Sequence, residues 1–337
     1  MQDYISACRL PMIRIDGVLL PRLILGHLPF LGESYRGELK DKEYAAHFSE
    51  IENTISLMSF VVKEYGITVF AASAYIEDSK LSKLYFQALR ETINRTGTNI
   101  ATIPCLRLPL FIGETPVDDY RRWLTYFQIE KSGCEENELL KKYLTDPILL
   151  SRRGWKIKFE SALKGHLKPY SSEEINKLSV DYDLLSLELR KVMSFNPILI
   201  ELGSETDFLA MTGRLDVLSD IIEWLKLNMD KPVAIGVHHA GMTIPLIEEE
   251  KIKCSAYITP INKMGALMLP NKHKALEAIK ATNKPIIAIK PLAGGRIDPV
   301  EAFKFVFKEV KCGSCMIGLA SKYEAQKDIE MALQLIE

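Results

Sequence analysis

The sequence lacks the features of membrane, secreted and nucleic-acid-binding proteins. It contains no apolar run of the roughly 18 residues that a membrane-spanning helix needs, and no charged-then-apolar leader. Six cysteines among 337 residues do not resemble a secreted disulfide framework. With 43 basic and 44 acidic residues, the net charge of −1 gives no field that would attract nucleic acid. We therefore expect a cytoplasmic protein with reduced thiols, a small-molecule substrate, and no nucleic-acid or membrane partner.

Apolar residues make up 47% of the chain, which is enough for the core of a large domain. Short apolar runs bounded by Gly or Pro alternate with longer segments of helical period. Such near-continuous apolar strands are typical of a parallel sheet that is covered on both faces. The runs are residues 22–27, 67–72, 100–106, 197–203, 233–240, 255–262, 285–292 and 314–320. Eight alternations predict an α/β fold, a single (β/α)8 TIM barrel over residues 1–337, rather than an open sheet.

Residues 107–196 interrupt this alternation between the third and fourth runs. The segment is far longer than one crossover helix requires, and it contains helical stretches such as EENELLKKYL. Because it begins at the carboxyl end of a strand, we expect it to lie over the face where barrels build their active sites. It is predicted to act as a cap or lid. An assembly element in a homo-oligomer is the alternative, and the two roles are compatible.

Chemically active side chains follow several of the predicted strands, and the carboxyl ends of barrel strands are where catalytic residues lie. Neighbouring strand residues point to opposite faces, so only one of the adjacent histidines 238 and 239 can face the barrel mouth. We expect His238 to face it near Glu201, and His239 to turn outward. The residues at or just after the strand ends are His27, Arg107, Glu201, Glu205, His238, His239, Asn262, Lys290 and Ser321.

His27, Glu201 and His238 together allow three interpretations. Two histidines and a carboxylate would suit a catalytic Zn²⁺ or another divalent ion, as in a metal-dependent hydrolase or lyase. The same side chains could act as acid and base without metal. They could also form a hydrogen-bonded polar layer of purely structural importance.

Lys290 ends the apolar run IIAIK, so its amine is expected to project into the barrel mouth from apolar surroundings. Desolvation lowers the pKa of a lysine and suits it to proton transfer or Schiff-base chemistry. A carboxylate partner such as Glu201 would raise that pKa instead and leave a simple ion pair.

Two loops near the carboxyl terminus suggest a phosphate site. Gly294, Gly295 and Arg296 follow the seventh run, and Ser321 and Lys322 begin a helix after the eighth. Barrels commonly bind phosphate at these two positions through backbone N–H groups and a helix N-terminus. Tight turns with a solvated arginine are the alternative.

Cys312 and Cys315 form a CxxC motif, which can be a redox pair or half of a metal site. Without a second pair, and with Cys315 leading directly into an apolar run, a structural role is expected. The Lys-, Glu- and Ile-rich composition is typical of thermophiles.

Five segments resemble a known family. LPRLILG is similar to its opening strand, EYGITVFAASAYIEDSKL to its GINFFDTAxxYGxSE segment, and AIGVHHAGMTIPLIEEEKI followed by SAYITPIN to its GISTHNP region with a terminal Asn, here Asn262. PIIAIKPLAGGRI is similar to VIAMKPLGGG, and MIGLASKYEAQKDIEMAL to the closing cofactor loop. These segments resemble the aldo-keto reductase superfamily, above all its divergent "predicted oxidoreductase" branch, over most of the chain outside 107–196. The resemblance implies a TIM barrel that binds NADP.

The catalytic residues that the resemblance implies are largely replaced. The family uses a tyrosine acid supported by Lys and Asp, with a His that orients the substrate. Here the Asp position reads Ala71, the Lys position reads Ile103, and the His falls at or beside Glu201; Tyr75 alone matches the tyrosine. Without a neighbouring cation, a tyrosine with a pKa near 10 is a poor proton donor at neutral pH.

Two functional hypotheses follow from these replacements. The first is a reductase-like enzyme with a rearranged site of His27, Glu201, His238 and Lys290 and a retained NADP-binding end. The second is a non-catalytic binding or assembly protein. In either case we expect little reduction of ordinary aldehydes with NADPH.

Overall fold

Eight parallel strands of the computed structural model, which describes residues 9–73 and 79–336, close into a barrel. Each strand pairs in parallel with the next, and the eighth pairs with the first. Every predicted run overlaps one of these strands, so the predicted (β/α)8 barrel is confirmed. The strands are β1 Leu23–Gly26, β2 Val69–Ser73, β3 Ala101–Leu106, β4 Ile200–Leu202, β5 Val233–Gly236, β6 Ala256–Pro260, β7 Ile286–Ile289 and β8 Ser314–Gly318.

The barrel is held by two apolar layers. Inside it, small and branched side chains such as Ile24, Val69, Ile103 and Ile258 pack into one buried cluster. A larger cluster lies outside, between the strands and the helices. Because both faces of each strand are buried, the strands read as continuous apolar runs, which is why they were visible in the sequence.

An antiparallel hairpin precedes the barrel and was not predicted. Its strands, Met12–Ile15 and Val18–Pro21, are joined by Asp16 and Gly17, whose φ angles are 46° and 84°. Ile15 and Leu20 pack into the inner cluster beside residues at the starts of the barrel strands, so the hairpin closes the amino-terminal end. An Asp-Gly pair between apolar residues is a strong hairpin signal, and it could have revealed this element.

The helices connect the strands and cover the outside of the barrel. Two of them begin with side-chain caps: Asp298 accepts from the N–H of Val300, and Ser321 from that of Glu324. No described helix is long and apolar enough to cross a membrane. The helices outside the insertion are Glu38–Phe48, Ile51–Tyr65, Lys80–Thr96, Glu205–Met211, Leu215–Asn228, Ala240–Glu249, Lys272–Ala281, Pro299–Lys304 and Lys322–Ile336.

The insertion between β3 and β4 has its own secondary structure. It contains a three-stranded antiparallel sheet, of Leu110–Ile112, Thr115–Pro116 and Leu178–Val180, in addition to helices. The sheet was not predicted, because its strands are only two or three residues long. The helices are Asp119–Glu130, Glu136–Thr145, Trp155–Ser161, Ser172–Ile175 and Tyr182–Met193.

The insertion packs against loops that follow β4, β5 and β6. Arg122 lies 3.2 Å from the carboxylate of Glu205, after β4, and Glu130 lies 2.6 Å from Nδ1 of His239, after β5. Lys142 donates to the carbonyl of Gly265, after β6, over 2.6 Å. These contacts are at the carboxyl ends of the strands. The predicted role as lid or assembly element stays a prediction.

Candidate active site

A cavity of about 1000 Å³ opens at the carboxyl end of the barrel. The side chains of His27, Glu201, His238 and Lys290 all line it, although they come from four different strand ends. The sequence predicted that these four residues share one site, and the structure places them on one cavity wall. Among the described residues that line the cavity, none belongs to the insertion 107–196.

Glu201 lies in β4, beside Ala234 of β5 and Cys105 of β3. Burial raises the pKa of its carboxyl to about 7, and the positive charge of Lys290 opposes that rise. Gly236 of β5 leaves room for this carboxylate, because a Cβ at Gly236 would lie 2.7 Å from Oε1 of Glu201. Glu201 can therefore both hold and release a proton near neutral pH.

We predict that Gly236→Ala displaces the Glu201 carboxylate and destabilises the barrel. The added Cβ would also lie 2.7 Å from the backbone carbonyl of Leu202, so the strand itself must shift. Overpacking of this kind costs typically about 1–3 kcal/mol, which thermal unfolding would detect. In the control, Gly133→Ala, the nearest atom is the mobile end of Lys274 at 3.3 Å. Equal stability of the two variants would contradict the prediction.

The altered protonation of Glu201 predicts a pH-dependent stability. Its pKa in the folded state, about 7, lies above the ordinary value of 4.5, so this group contributes stability at low pH that is lost as the pH rises through 7. A Glu201→Gln variant cannot ionise there. Its melting temperature should therefore exceed that of the wild type by more at pH 8.5 than at pH 5. Parallel profiles of melting temperature against pH for the wild type and Glu201→Gln would contradict this prediction. Glu223→Gln, at an exposed position, is the control.

Lys290 follows β7 with a left-handed φ of 57°. Burial lowers the pKa of its amine, whereas the charges of Glu201, Glu33 and Cys105 raise it. Its Nζ lies 5.1 Å from the centre of the Tyr35 ring, over the ring face. The pKa of Tyr35 is raised by burial and by nearby carboxylates. This Lys–Tyr contact therefore does not activate the phenol as a proton donor.

The two cavity histidines are neutral at pH 7. Burial and the charge of Lys290 lower the pKa of His27 to about 4, and the same two causes lower that of His238 well below its ordinary value. Arg122 and Arg152, both in the insertion, add to the effect on His238. Neutral imidazoles can donate and accept hydrogen bonds but add no charge to the cavity.

The adjacent histidines face opposite ways, as expected. His238 lines the cavity with Glu201, whereas His239 is fully buried on the outer side. The His239 ring lies 4.2 Å from the Tyr126 ring, and its Nδ1 lies 2.6 Å from Glu130. His239 therefore joins the barrel to the insertion.

The structure does not support the predicted metal site. Within residues 9–73 and 79–336, no three His, Cys, Asp or Glu side chains are grouped so that they could hold an ion. His27, Glu201 and His238 are thus not arranged as ligands. The positive charge of Lys290 acts on all three side chains, and a cation so placed opposes the binding of a metal ion.

The glycine-arginine loop lines the cavity, but its polar groups are partly engaged. The guanidinium of Arg296 donates to the carbonyls of Tyr35 and Ala293, over 2.7 and 2.8 Å. The carbonyls of Gly294 and Gly295 accept from Arg36, over 3.3 and 3.0 Å. The guanidinium groups of Arg296 and Arg36 thus lie near the cavity, but both already donate hydrogen bonds to backbone carbonyls.

Three predicted cofactor residues are not found among the described residues that line the cavity: Asn262, Ser321 and Lys322. The amide of Asn262 closes its own loop by two hydrogen bonds with the backbone of Ala266. Ser321 is occupied as a helix cap, and Lys322 lies over the ring of Phe60, 5.8 Å from its centre.

The predicted catalytic Tyr75 lies outside the described residues. The family's Asp and Lys positions hold Ala71 and Ile103, which pair in register and pack inside the barrel. The structure thus confirms that these two positions are apolar.

Several cavity residues were missed. Glu33 and Tyr35 follow a short helical turn after β1, and Glu324 and Asp328 lie on the last helix. Glu324 and Asp328 could have been predicted, because they lie one turn apart on a helix that starts beside the barrel mouth. Nothing in the local pattern indicates Glu33 or Tyr35.

The CxxC cysteines are buried, and burial raises the pKa of Cys312 to about 12 and that of Cys315 well above its ordinary value. Such thiols are poor nucleophiles, which agrees with the structural role expected from the sequence.

No protein-family model and no curated protein matches the sequence. Among solved structures, two of a candidate aldo-keto reductase from Pseudomonas aeruginosa match it with TM-scores of 0.54, at 12% identity. They cover 97% of this chain and 96% or 95% of those chains. The chain has the fold of the aldo-keto reductases.

An aldo-keto reductase of the silkworm Bombyx mori, solved in complex with NADP, also matches, at 10% identity and a TM-score of 0.48 over 97% of this chain and 92% of that one. At such identities the likeness concerns the fold alone. The chemistry of this chain has to be argued from its own cavity.

Proposed function

We propose that this protein is an oxidoreductase that interconverts a small carbonyl compound and its alcohol in the barrel cavity. Glu201 would exchange the proton with the substrate oxygen, and Lys290 would stabilise negative charge on that oxygen. The observation that carries the proposal is a carboxyl of pKa about 7 in a cavity that it shares with a lysine. Perturbed ionisable groups that converge in a cleft favour an enzyme over a passive binding protein.

The proton step follows from the pKa of Glu201. A general acid or base is most effective when its pKa is close to the working pH, because both protonation states are then populated. Glu201 meets this condition, whereas burial raises the pKa of Tyr35 and makes that phenol a poor donor. We therefore assign the proton step to Glu201 rather than to a tyrosine.

The charge step belongs to Lys290. Burial lowers the pKa of Lys290, and the carboxylates of Glu201 and Glu33 oppose that fall by favouring the ammonium form that this role requires. A fixed cation beside an oxygen that becomes negative stabilises the transition state more than the ground state. His27 and His238, both neutral, would orient the substrate through hydrogen bonds.

The cavity is large enough for a nicotinamide dinucleotide. Its lining includes Lys290, residues of the loop 291–299 and residues 323–328 on the last helix, and its volume of about 1000 Å³ is at the upper end for small-molecule sites. The backbone N–H groups of Gly294 and Gly295 would hold the phosphate groups. When bound, the nicotinamide would supply or accept the hydride.

The test is a screen of small aldehydes and ketones with reduced nicotinamide cofactors, and of alcohols with oxidised ones. Turnover is monitored through the absorbance of the reduced nicotinamide. We expect slow turnover of ordinary aldehydes, and a loss of about 10²–10⁴-fold in kcat in Glu201→Gln. Tyr75→Phe should have the smaller effect. The reverse order, with Tyr75→Phe inactive and Glu201→Gln active, would overturn the proposal in favour of the family's own tyrosine mechanism.

A further inference from the structure

One part of the cavity lining is acidic. This part, here called the outer arm, is lined by Asp298, Glu324, Lys327 and Asp328, with Tyr44 and Tyr323. Asp328 is only 7% exposed, and it lines the cavity. Among residues 9–73 and 79–336, its carboxylate has no hydrogen bond and no ion pair within 4 Å, and its oxygens are not among the fully buried side-chain atoms that lack a partner. The oxygens therefore face the cavity, where they can accept hydrogen bonds from a ligand.

The neighbours of Asp328 increase the negative potential. Burial raises the pKa of Asp328 to about 6, repulsion by Glu324 and Asp298 adds to that rise, and the adjacent Lys327 opposes it. Glu324 is held in place because its Oε2 accepts from the N–H of Ala320, over 2.8 Å. It also occupies the helix N-terminus, which would otherwise attract an anion. The outer arm therefore disfavours a phosphate group.

We propose that the outer arm binds the unphosphorylated adenosine ribose of NAD(H), through its hydroxyl groups, and excludes the 2′-phosphate of NADP(H). This inference rests on the proposed function, which places the nicotinamide beside Lys290 and leaves the adenosine to another part of the cavity. Carboxylates select NAD because they accept hydrogen bonds from the ribose hydroxyls, whereas a 2′-phosphate is accommodated by arginine. The arginines nearby, Arg36 and Arg296, donate instead to loop carbonyls.

The experiment is a pair of binding titrations at pH 7.5, with NADH and NADPH, on the wild type and on Asp328→Asn. ADP-ribose and its 2′-phosphorylated form repeat the comparison without the nicotinamide. We expect the wild type to bind NADH at least tenfold more tightly than NADPH, and the variant to reduce that ratio toward one. The matched control is Glu330→Gln, an exposed position on the same helix, which should keep the wild-type ratio. Thermal unfolding checks that the variants are folded.

The outcomes separate the two proposals. Equal or tighter binding of NADPH by the wild type would overturn the inference about the outer arm and leave the oxidoreductase proposal standing. An unchanged ratio in Asp328→Asn would likewise overturn the assigned role of that carboxylate. If neither dinucleotide binds, the proposed function itself fails, and the inference fails with it.

Discussion

Lys290→Met is expected to lower kcat by about 10²–10³-fold while the barrel stays folded. This is the usual cost of removing one group that stabilises an oxyanion. Methionine matches the length of lysine without its charge. The loss of charge also changes Glu201, because Lys290 lowers the pKa of that carboxyl in the wild type. Glu201 in the variant should therefore stay protonated to a higher pH.

The measurement combines turnover with carbon NMR of the Glu201 carboxyl across a pH titration. The expected pair of results is a large drop in kcat and a higher titration midpoint for Glu201. Lys322→Met is the control, since Lys322 lies on the last helix, over Phe60 and off the described cavity wall. An unchanged kcat would exclude Lys290 from the chemistry. An unchanged midpoint would show that the two side chains are not coupled.

The barrel could be predicted because its strands are buried on both faces. Successive residues of each strand are therefore apolar, and each strand forms one apolar run in the sequence. The convergence of His27, Glu201, His238 and Lys290 followed from the same fact, since the carboxyl ends of barrel strands meet at one mouth. The opposite directions of His238 and His239 were predicted from the alternation of side chains along a strand. Both residues lie beyond the end of β5, however, and His239 is the N-cap of the helix Ala240–Glu249, so the turn into that helix sets their directions.

The rest of the site depends on loops, whose conformations leave no periodic signal. Tyr35 reaches the cavity through a turn whose course depends on tertiary packing. The predicted role of Asn262 relied on resemblance, and that of Ser321 on the position where barrels commonly bind phosphate. The structure shows that their polar atoms close a loop and cap a helix, which are local hydrogen bonds that such side chains form readily. The residue type at a position that suits a cofactor site therefore does not predict whether its side chain bonds to a ligand or to the local backbone.

The largest stability effect is expected at Glu130, in the insertion. This carboxylate is fully buried, and its two oxygens are shared between His239 of the barrel and Tyr143 of the insertion, each at 2.6 Å. Its removal leaves two buried polar groups without their partner, and the Nε2 of His239 already has none among the described residues. Removing one member of such a buried pair costs typically about 3–5 kcal/mol.

Glu130→Ala should accordingly lower the free energy of unfolding in urea by about 3 kcal/mol or more. The exposed Glu138→Ala, on the insertion's next helix, should change it by less than about 0.5 kcal/mol. Hydrogen exchange adds a local readout, because the Glu130–His239 contact ties the helix Asp119–Glu130 to the barrel. Exchange in Glu130→Ala should quicken first in residues 119–145, and only later in the strands. Uniform acceleration through insertion and barrel would mean that the insertion is held elsewhere, with Arg122–Glu205 and Lys142–Gly265 as the remaining polar contacts to the barrel.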